Sequence, residues 1–304
     1  VTKSIIFPAG GWGLHARGWH RALKAQNKSD NTIRIYIYAV RQLGEWACSQ
    51  AEPFEADETT PDHINQFIAA LIEKTSAPNG HTNYRALRTF FKWMVESEEE
   101  MDRSPMDRTK APDLPEQPVP IVTDGGMTEL LNVCKGKDFE SVRDTAIIRL
   151  YFDTAARLSE AVINLDDLDL DVDVIRVLGK GRRHRTIPFG PKTGTAITRY
   201  LKARAKHKHA GKPDLWLGLR GPMTADGIKQ MIKRRGQQAG IGNMFAHRLR
   251  HTFAHTWQLK GGNETDLMRI MGWKSDQMLR RYGASAADER AHSSHRSMGL
   301  GDRV

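Results

Sequence analysis

Arg157, Lys180, His247, Arg250, Trp273 and Tyr282 follow one another in the second half of this 304-residue chain. As residue types they are the parts of a metal-free attack on a DNA phosphate. Arg157 lies in Thr154-Ala155-Ala156-Arg157-Leu158-Ser159-Glu160, and Lys180 in Gly179-Lys180-Gly181. His247 and Arg250 share His247-Arg248-Leu249-Arg250-His251, Trp273 follows Gly272, and Tyr282 comes nine residues after Trp273. A phosphodiester repels nucleophiles through its non-bridging oxygens, and its alkoxide is a poor leaving group. A phenol with an ordinary pKa of about 10 attacks it only when fixed donors hold the charge gained in the transition state. Arginine suits that task because its planar fork binds two oxygens and stays charged. Such donors contribute about 3 kcal/mol each, and Arg157 and Arg250 are the candidates. A lysine or histidine must then protonate the departing 5′ oxygen. The 3′-phosphotyrosine that results keeps the energy of the ester for rejoining, so the scheme calls for no metal and no cofactor.

Taken singly, each residue has an ordinary reading. A His-x-x-Arg pair one helical turn apart is commonly an exposed or capping pair, and Arg157 after an apolar helix could serve the helix dipole. Lysine at a hairpin tip is usually solvated, a tryptophan is usually core, and a late tyrosine is usually a surface phenol. It is the ordered set that outweighs these readings.

Those residues need elements to position them. Val172 to Leu178 and Thr186 to Phe189 read as short strands flanking a hairpin tip at Gly179–Arg183, which would carry Lys180. Helices are expected near 126–135 and 139–156, an acidic turn over Asp166–Asp171, and mostly helix from Lys192 onward. Further towards the N-terminus, Asp30-Asn31-Thr32 offers cap chemistry ahead of Ile33, Ile37, Val40, Leu43 and Trp46 at helical spacing. Pro61 opens a second helix through Leu71, and a third runs from about His81 to Met94. On the third, Arg85, Arg88 and Lys92 form one basic stripe, which alone reads equally well as a solvated face. Five of the thirteen prolines fall between Pro105 and Pro120, a stiff stretch that reads as a linker. The expected organisation is an N-terminal tail at 1–13, a helical unit at 14–104, the linker at 105–120, a mixed unit at 121–282 and a tail at 283–304. The fold class is mainly α with a small β-sheet.

Composition agrees with a polyanionic partner. The formal net charge is +10 and the isoelectric point near 9.6. Residues 174–213 hold twelve Lys or Arg and no acid, and residues 227–263 hold seven and no acid. One such run is ordinarily a solvated face. Two within one unit favour nucleic acid, bound with a steep salt dependence. Mean hydropathy is −0.55, no run has the length of a membrane span, and the start lacks a signal-peptide core. Cys48 and Cys134 each sit in an apolar pattern and read as buried thiols in a reducing compartment.

Order and spacing together resemble the tyrosine recombinases, the family of phage integrases and Xer-type resolvases. Thr154–Glu160 looks like the family's T-G-x-R-x-S-E motif, with Ala155 in the glycine position, a departure that is tolerable if the turn needs no positive φ. His247–Phe253 resembles its H-x-L-R-H-T-F box, and Tyr282 stands at the family's spacing from Trp273. The resemblance implies that Tyr282 is the nucleophile, Arg157 and Arg250 the clamp, Lys180 the general acid and His247 a proton handler. It gives Trp273, where most members have histidine, a stabilising role, since an indole donates but transfers no proton. Glu160 would brace the arginine. The helical unit would be a core-binding domain completing a C-shaped two-domain clamp, with Lys28, Thr32, Arg34, Arg85, Arg88 and Lys92 facing double-stranded DNA. Arg182, Arg183 and Arg185 would contact its backbone.

Further implications are a homo-tetramer on DNA joined through the C-terminal tail, accessory bending or directionality factors, no membrane, and a cytoplasmic, nucleoid-associated protein of bacterial or phage type. About ten residues precede the first helix, so an additional arm-binding domain is expected to be absent. Integration or excision of a mobile element is the favoured role, with a Xer-like resolvase as the alternative. A type IB topoisomerase shares the chemistry but fits the helical unit and tail less well. From another class, a non-cleaving repressor or architectural protein explains basicity and helices but not the reactive set. A metal-dependent nuclease is weaker still, because His207-x-His209 lies among lysines and no acidic cluster accompanies it.

Overall fold

The computed structural model describes residues 4–97, 100–114, 120–179, 184–273, 275, 278–279, 287, 291–292, 294–299 and 301. The chain divides into two units, Val1–Glu116 and Gln117–Val304. It is mostly helical with small sheets.

In the first unit four helices enclose one core: α1 (Gly10–Ala25), α2 (Asp30–Ala47), α3 (Pro61–Lys74) and α4 (Ala77–Glu96). The cap of α2 is Ser29, one residue before the expected cluster; its hydroxyl accepts from the Thr32 amide. Helix α3 has a capping box from Thr60 and His63, with proline at its first position. The core is unusually aromatic: Trp12, Trp19, Tyr84, Phe90 and Phe91 are fully buried, and Trp19 stacks flat on Tyr36 at 5.3 Å. Cys48 departs from expectation. It is exposed, because α2 ends at Ala47 and the apolar stripe ends with it. Cys134 is buried.

The second unit is organised around α6 (Phe139–Thr154), which follows α5 (Asp124–Asn132). Apolar residues cover α6 nearly all round, among them Ala146, Ile147, Ile148, Leu150 and Tyr151, so it runs through the core instead of over it. A three-stranded antiparallel sheet is ordered β1 (Leu168–Asp169), β2 (Val174–Leu178), β3 (His184–Pro188). Strand β1 lies inside the segment expected as an acidic turn, because Leu168 pairs with Ile175. On β2, Ile175 and Val177 point to the core while Arg176 and Leu178 point out. Helix α7 (Pro191–Arg204), a two-residue hairpin of β4 (Leu217–Gly218) and β5 (Gly221–Pro222), α8 (Ala225–Gln238), α9 (Ala246–Leu259) and α10 (Glu264–Met271) complete the unit. Asp144, fully buried in α6, accepts from Arg143 at 2.9 and 2.7 Å and from Arg235 on α8 at 2.9 Å, tying two helices together.

Candidate active site

Helix α6 ends at Thr154, and the next residue, Ala155, adopts the left-handed conformation with φ +49° and ψ +26°. The turn therefore does need a positive φ, contrary to the condition under which alanine is an innocuous replacement. Ala155 is wholly buried and packs with Ala254, Leu267, Met271 and Trp273, and this packing offsets part of the backbone strain. The sharp turn aims Arg157 back towards α10.

Arg157 donates through Nη1 to Glu160 Oε1 at 2.7 Å and through Nη2 to the Gly272 carbonyl at 3.2 Å. Its backbone amide donates to Glu160 Oε2 at 2.8 Å. Glu160, only 4% exposed, is held from its other side by Arg185 on β3, whose two Nη atoms donate to the two carboxylate oxygens at 2.8 Å each. Burial alone would raise the Glu160 pKa. The hydrogen bonds from Arg185 and Arg157 outweigh it and hold the group at about 2, so the carboxylate is charged at neutral pH. Arg185, expected at the DNA backbone, has strong partners within the chain instead of a free guanidinium. Its guanidinium is committed to Glu160 and, through Nε at 3.3 Å, to the Ile270 carbonyl.

Arg250 is 1% exposed. It donates to the Ala155 carbonyl and, at 2.5 Å, to the Met271 carbonyl. Thus Arg185, Arg250 and Arg157 donate in turn to the carbonyls of residues 270, 271 and 272. The last turn of a helix leaves such carbonyls without helical partners and carries partial negative charge, and three cations meet both demands. Gly272 closes α10 at φ +62°; a Cβ there would stand 3.0 Å from Arg185 Nη1. Trp273 is buried, with Arg250 Cζ 5.8 Å from its ring centroid.

His247 lies exposed on α9, one turn before Arg250, with its ring edge-on to His251 at 4.6 Å. Lys180, Arg182, Arg183 and Tyr282 lie outside the described residues, as does most of the tail after Tyr282. Among the described residues no group of three or more His, Cys, Asp or Glu could hold a metal ion, and no helix is long and apolar enough to cross a membrane.

In the first unit Arg85, Arg88 and Lys92 are exposed along α4, with Lys92 3.5 Å from Glu96. Lys28 is exposed, Thr32 and Arg34 are half-buried, and the Thr32 hydroxyl is 2.7 Å from that of Ser29. Arg34 lines a hollow of mainly apolar surface between α2 and α4, with Ile35 and with Asn31, Tyr38, Asn79 and Thr82. Sequence reasoning passes over the last four. Their signal is only that Asn31, Asn79 and Thr82, with Tyr38, recur on the faces that carry Arg34 and Arg85.

Residues 122–289 match the phage integrase family, and residues 17–100 match the phage integrase N-terminal SAM-like domain. Tyrosine recombinase XerC of Ralstonia pickettii (strain 12J) is 28% identical over 278 residues, covering 84% of this chain and 84% of that protein. Tyrosine recombinase XerD of Bifidobacterium longum (strain NCC 2705) is 29% identical over 245 residues, covering 76% and 79%. Among solved structures, XerH site-specific recombinase bound to palindromic difH substrate superposes with a TM-score of 0.74 at 15% identity, covering 95% of this chain and 85% of that one. The Tn1549 transposon integrase bound to transposon right end DNA gives 0.72 at 20% identity, covering 94% and 99%. At these identities the structural likeness is one of fold. The family match over residues 122–289 takes in the turn after α6, the arginine-bound end of α10 and the position of Tyr282, and the chain belongs to the phage integrase family of tyrosine recombinases, enzymes that exchange DNA strands.

Proposed function

We propose that this tyrosine recombinase cleaves and rejoins double-stranded DNA at specific sites through a 3′-phosphotyrosyl bond to Tyr282 and a Holliday junction, serving integration or excision of a mobile element. The observation that carries the chemistry is the convergence of Arg157 and Arg250 on the end of α10. Two guanidinium groups fixed by carbonyls and by Glu160 are preorganised donors for a pentacoordinate phosphate. Lys180 supplies the proton to the 5′ oxygen, His247 assists proton movement, and Trp273 donates its indole N–H to a phosphate oxygen. Lys28, Thr32, Arg34, Arg85, Arg88, Lys92, Arg182 and Arg183 hold the backbone. A tetramer on two sites joined through the 283–304 tail completes the reading, with accessory factors setting direction.

The Xer-like resolvase reading is favoured by a different observation, the XerC and XerD relatives at 28 and 29% identity. Trapping separates the two. DNA held covalently on wild-type protein in the native host is sequenced, with Tyr282→Phe as the blank. Ends of a mobile element support integration; one chromosomal locus, unlinked to an element, supports resolution. In vitro, a nicked duplex carrying the recovered site should give an adduct in EDTA that Tyr282→Phe lacks. Binding without any wild-type adduct overturns the assignment and favours a repressor. Arg157→Ala and Arg250→Ala should still bind the site while cleavage drops by orders of magnitude, because clamp residues act on the transition state.

A further inference from the structure

Among the described residues of the second unit, arginines that are not exposed share a habit. Arg143, Arg157, Arg185, Arg204, Arg235, Arg248 and Arg250 each donate at least two side-chain hydrogen bonds; Arg204 makes four, all to carbonyls between Ala210 and Leu215. Arg149 is the exception. It is half-buried on α6, yet among the described residues it has neither a hydrogen bond nor an ion pair. A guanidinium withdrawn from water without partners is costly to keep.

Arg149 lines a cavity of about 350 Å³ between α6 and α7. Three more cations line it: Lys192 and Arg199, seven residues apart on one face of α7, and Lys135 on the turn before α6. None of the three has a side-chain hydrogen bond or ion pair among the described residues, and no carboxylate lines the cavity. Cys134, Val142 and Ala196 make an apolar floor. Burial pushes the Cys134 thiol up to about 11, so the floor carries no negative charge at neutral pH. Asp144, next in sequence to the lining Thr145, is taken up by Arg143 and Arg235, and Asp138 caps α6 through the Ser141 amide. Asp173 lies in an adjoining hollow with Arg199 and Lys202.

We propose that this cavity is a second anion site, distinct from the Arg157–Arg250 clamp, that takes a phosphate-bearing ligand between the Arg149 fork and the ammonium groups of Lys135 and Lys192. Cations reach it from α6, α7 and the preceding turn, which matches a phosphoryl group with oxygens on several sides; a planar carboxylate offers two. The concavity and the apolar floor distinguish it from the flat basic surface of a generally cationic protein. Its phosphate comes either from a DNA backbone or from a free phosphorylated molecule.

The test uses the full chain and two probes, pyrophosphate by titration calorimetry and a short duplex of arbitrary sequence by anisotropy over a salt series. Two variants accompany wild type: Arg149→Met, which keeps most of the stem, and the surface double variant Lys192→Gln/Arg199→Gln. Expected is saturable pyrophosphate binding by wild type, weakened at least tenfold in both variants. A duplex salt slope that is shallower by about one for each backbone phosphate no longer neutralised identifies the DNA as the source; an unchanged slope identifies a free phosphorylated molecule. If Arg149→Met does not fold, the double variant decides alone. No saturable pyrophosphate binding, equal binding by the variants, or a preference for a polyglutamate peptide over pyrophosphate overturns the proposal.

Discussion

The Arg185 guanidinium grips both oxygens of the Glu160 carboxylate at 2.8 Å, 25 residues away in sequence, and Glu160 in turn holds Arg157. If Arg157 is the clamp proposed above, Arg185 positions it through a buried carboxylate, while its Nε fastens the end of α10. Removing one partner of a buried ion pair leaves a charge without full compensation, at a cost of about 3 kcal/mol. Arg185→Met is expected to keep site binding but slow cleavage at least tenfold, and Arg185→Lys, with a single point charge, to recover only part of it. Binding and cleavage that fall together would remove this role.

The same pair sets a pH dependence. The Glu160 pKa is depressed from an ordinary 4.5 to about 2. Its contribution to stability is therefore fully present above about pH 4.5 and is lost as pH falls towards 2. Arg185→Met should bring the Glu160 pKa back up and shift the acid limb of the unfolding curve to higher pH. Chemical denaturation between pH 2.5 and 6 measures it. An acid limb that coincides with wild type would show that Glu160 does not depend on Arg185.

Gly272 occupies the crossing point of two constraints. Its φ of +62° disfavours any Cβ by about 1 kcal/mol, and a Cβ would meet Arg185 Nη1 at 3.0 Å and Cζ at 3.1 Å. Gly272→Ala should lower Tm by roughly 3–6 °C and slow cleavage, since Arg157 donates to the Gly272 carbonyl. Combining it with Arg185→Met should cost less than the sum of the two, because the clash disappears. Strict additivity in thermal melts would place the two effects in separate parts of the site.

Ala155 tests the turn before the clamp. At φ +49° a β-branched side chain is a steric outlier, and full burial leaves no room to relax. Ala155→Val should destabilise by about 2–3 kcal/mol. Ala155→Gly relieves backbone strain but loses a buried methyl and adds unfolded-state entropy, so its net effect should stay within about 1 kcal/mol of zero. A tolerated valine would mean that this turn is more plastic than its packing.

What can be read from sequence divides by range. Ile33, Ile37, Val40 and Leu43 announce α2 because helical periodicity is written within a few residues, and all four are buried. Ile175 and Val177 announce β2 in the same way. Strand β1 escapes because its acidic residues look like a turn until Leu168 finds Ile175. Cys48 is exposed against expectation because an apolar stripe does not show where its helix stops. Arg185 defeats a local reading for a deeper reason. Lysine and arginine runs beside a hairpin tip look alike, and only the bonds to Glu160 and to Ile270, 85 residues on, separate a structural cation from a surface one. Arg149 leaves no local trace at all.

Trp273 allows the donor role of the indole to be separated from its bulk. The ring packs in the cluster with Ala155, Leu267 and Met271 and lies beside Arg250, so truncation to alanine would confound packing with chemistry. Trp273→Phe keeps an aromatic face for the guanidinium but removes the N–H; Trp273→His restores a donor in a smaller ring. If the N–H bonds a phosphate oxygen as charge develops, phenylalanine should slow cleavage about tenfold or more with site binding intact, and histidine should exceed phenylalanine despite filling less of the pocket. Histidine should also add a further dependence on pH near 6–7 beyond whatever His247 gives wild type. Cleavage rates of the three proteins on a nicked duplex, between pH 5.5 and 8.5, decide the matter. Equal rates for tryptophan and phenylalanine would assign residue 273 to packing alone.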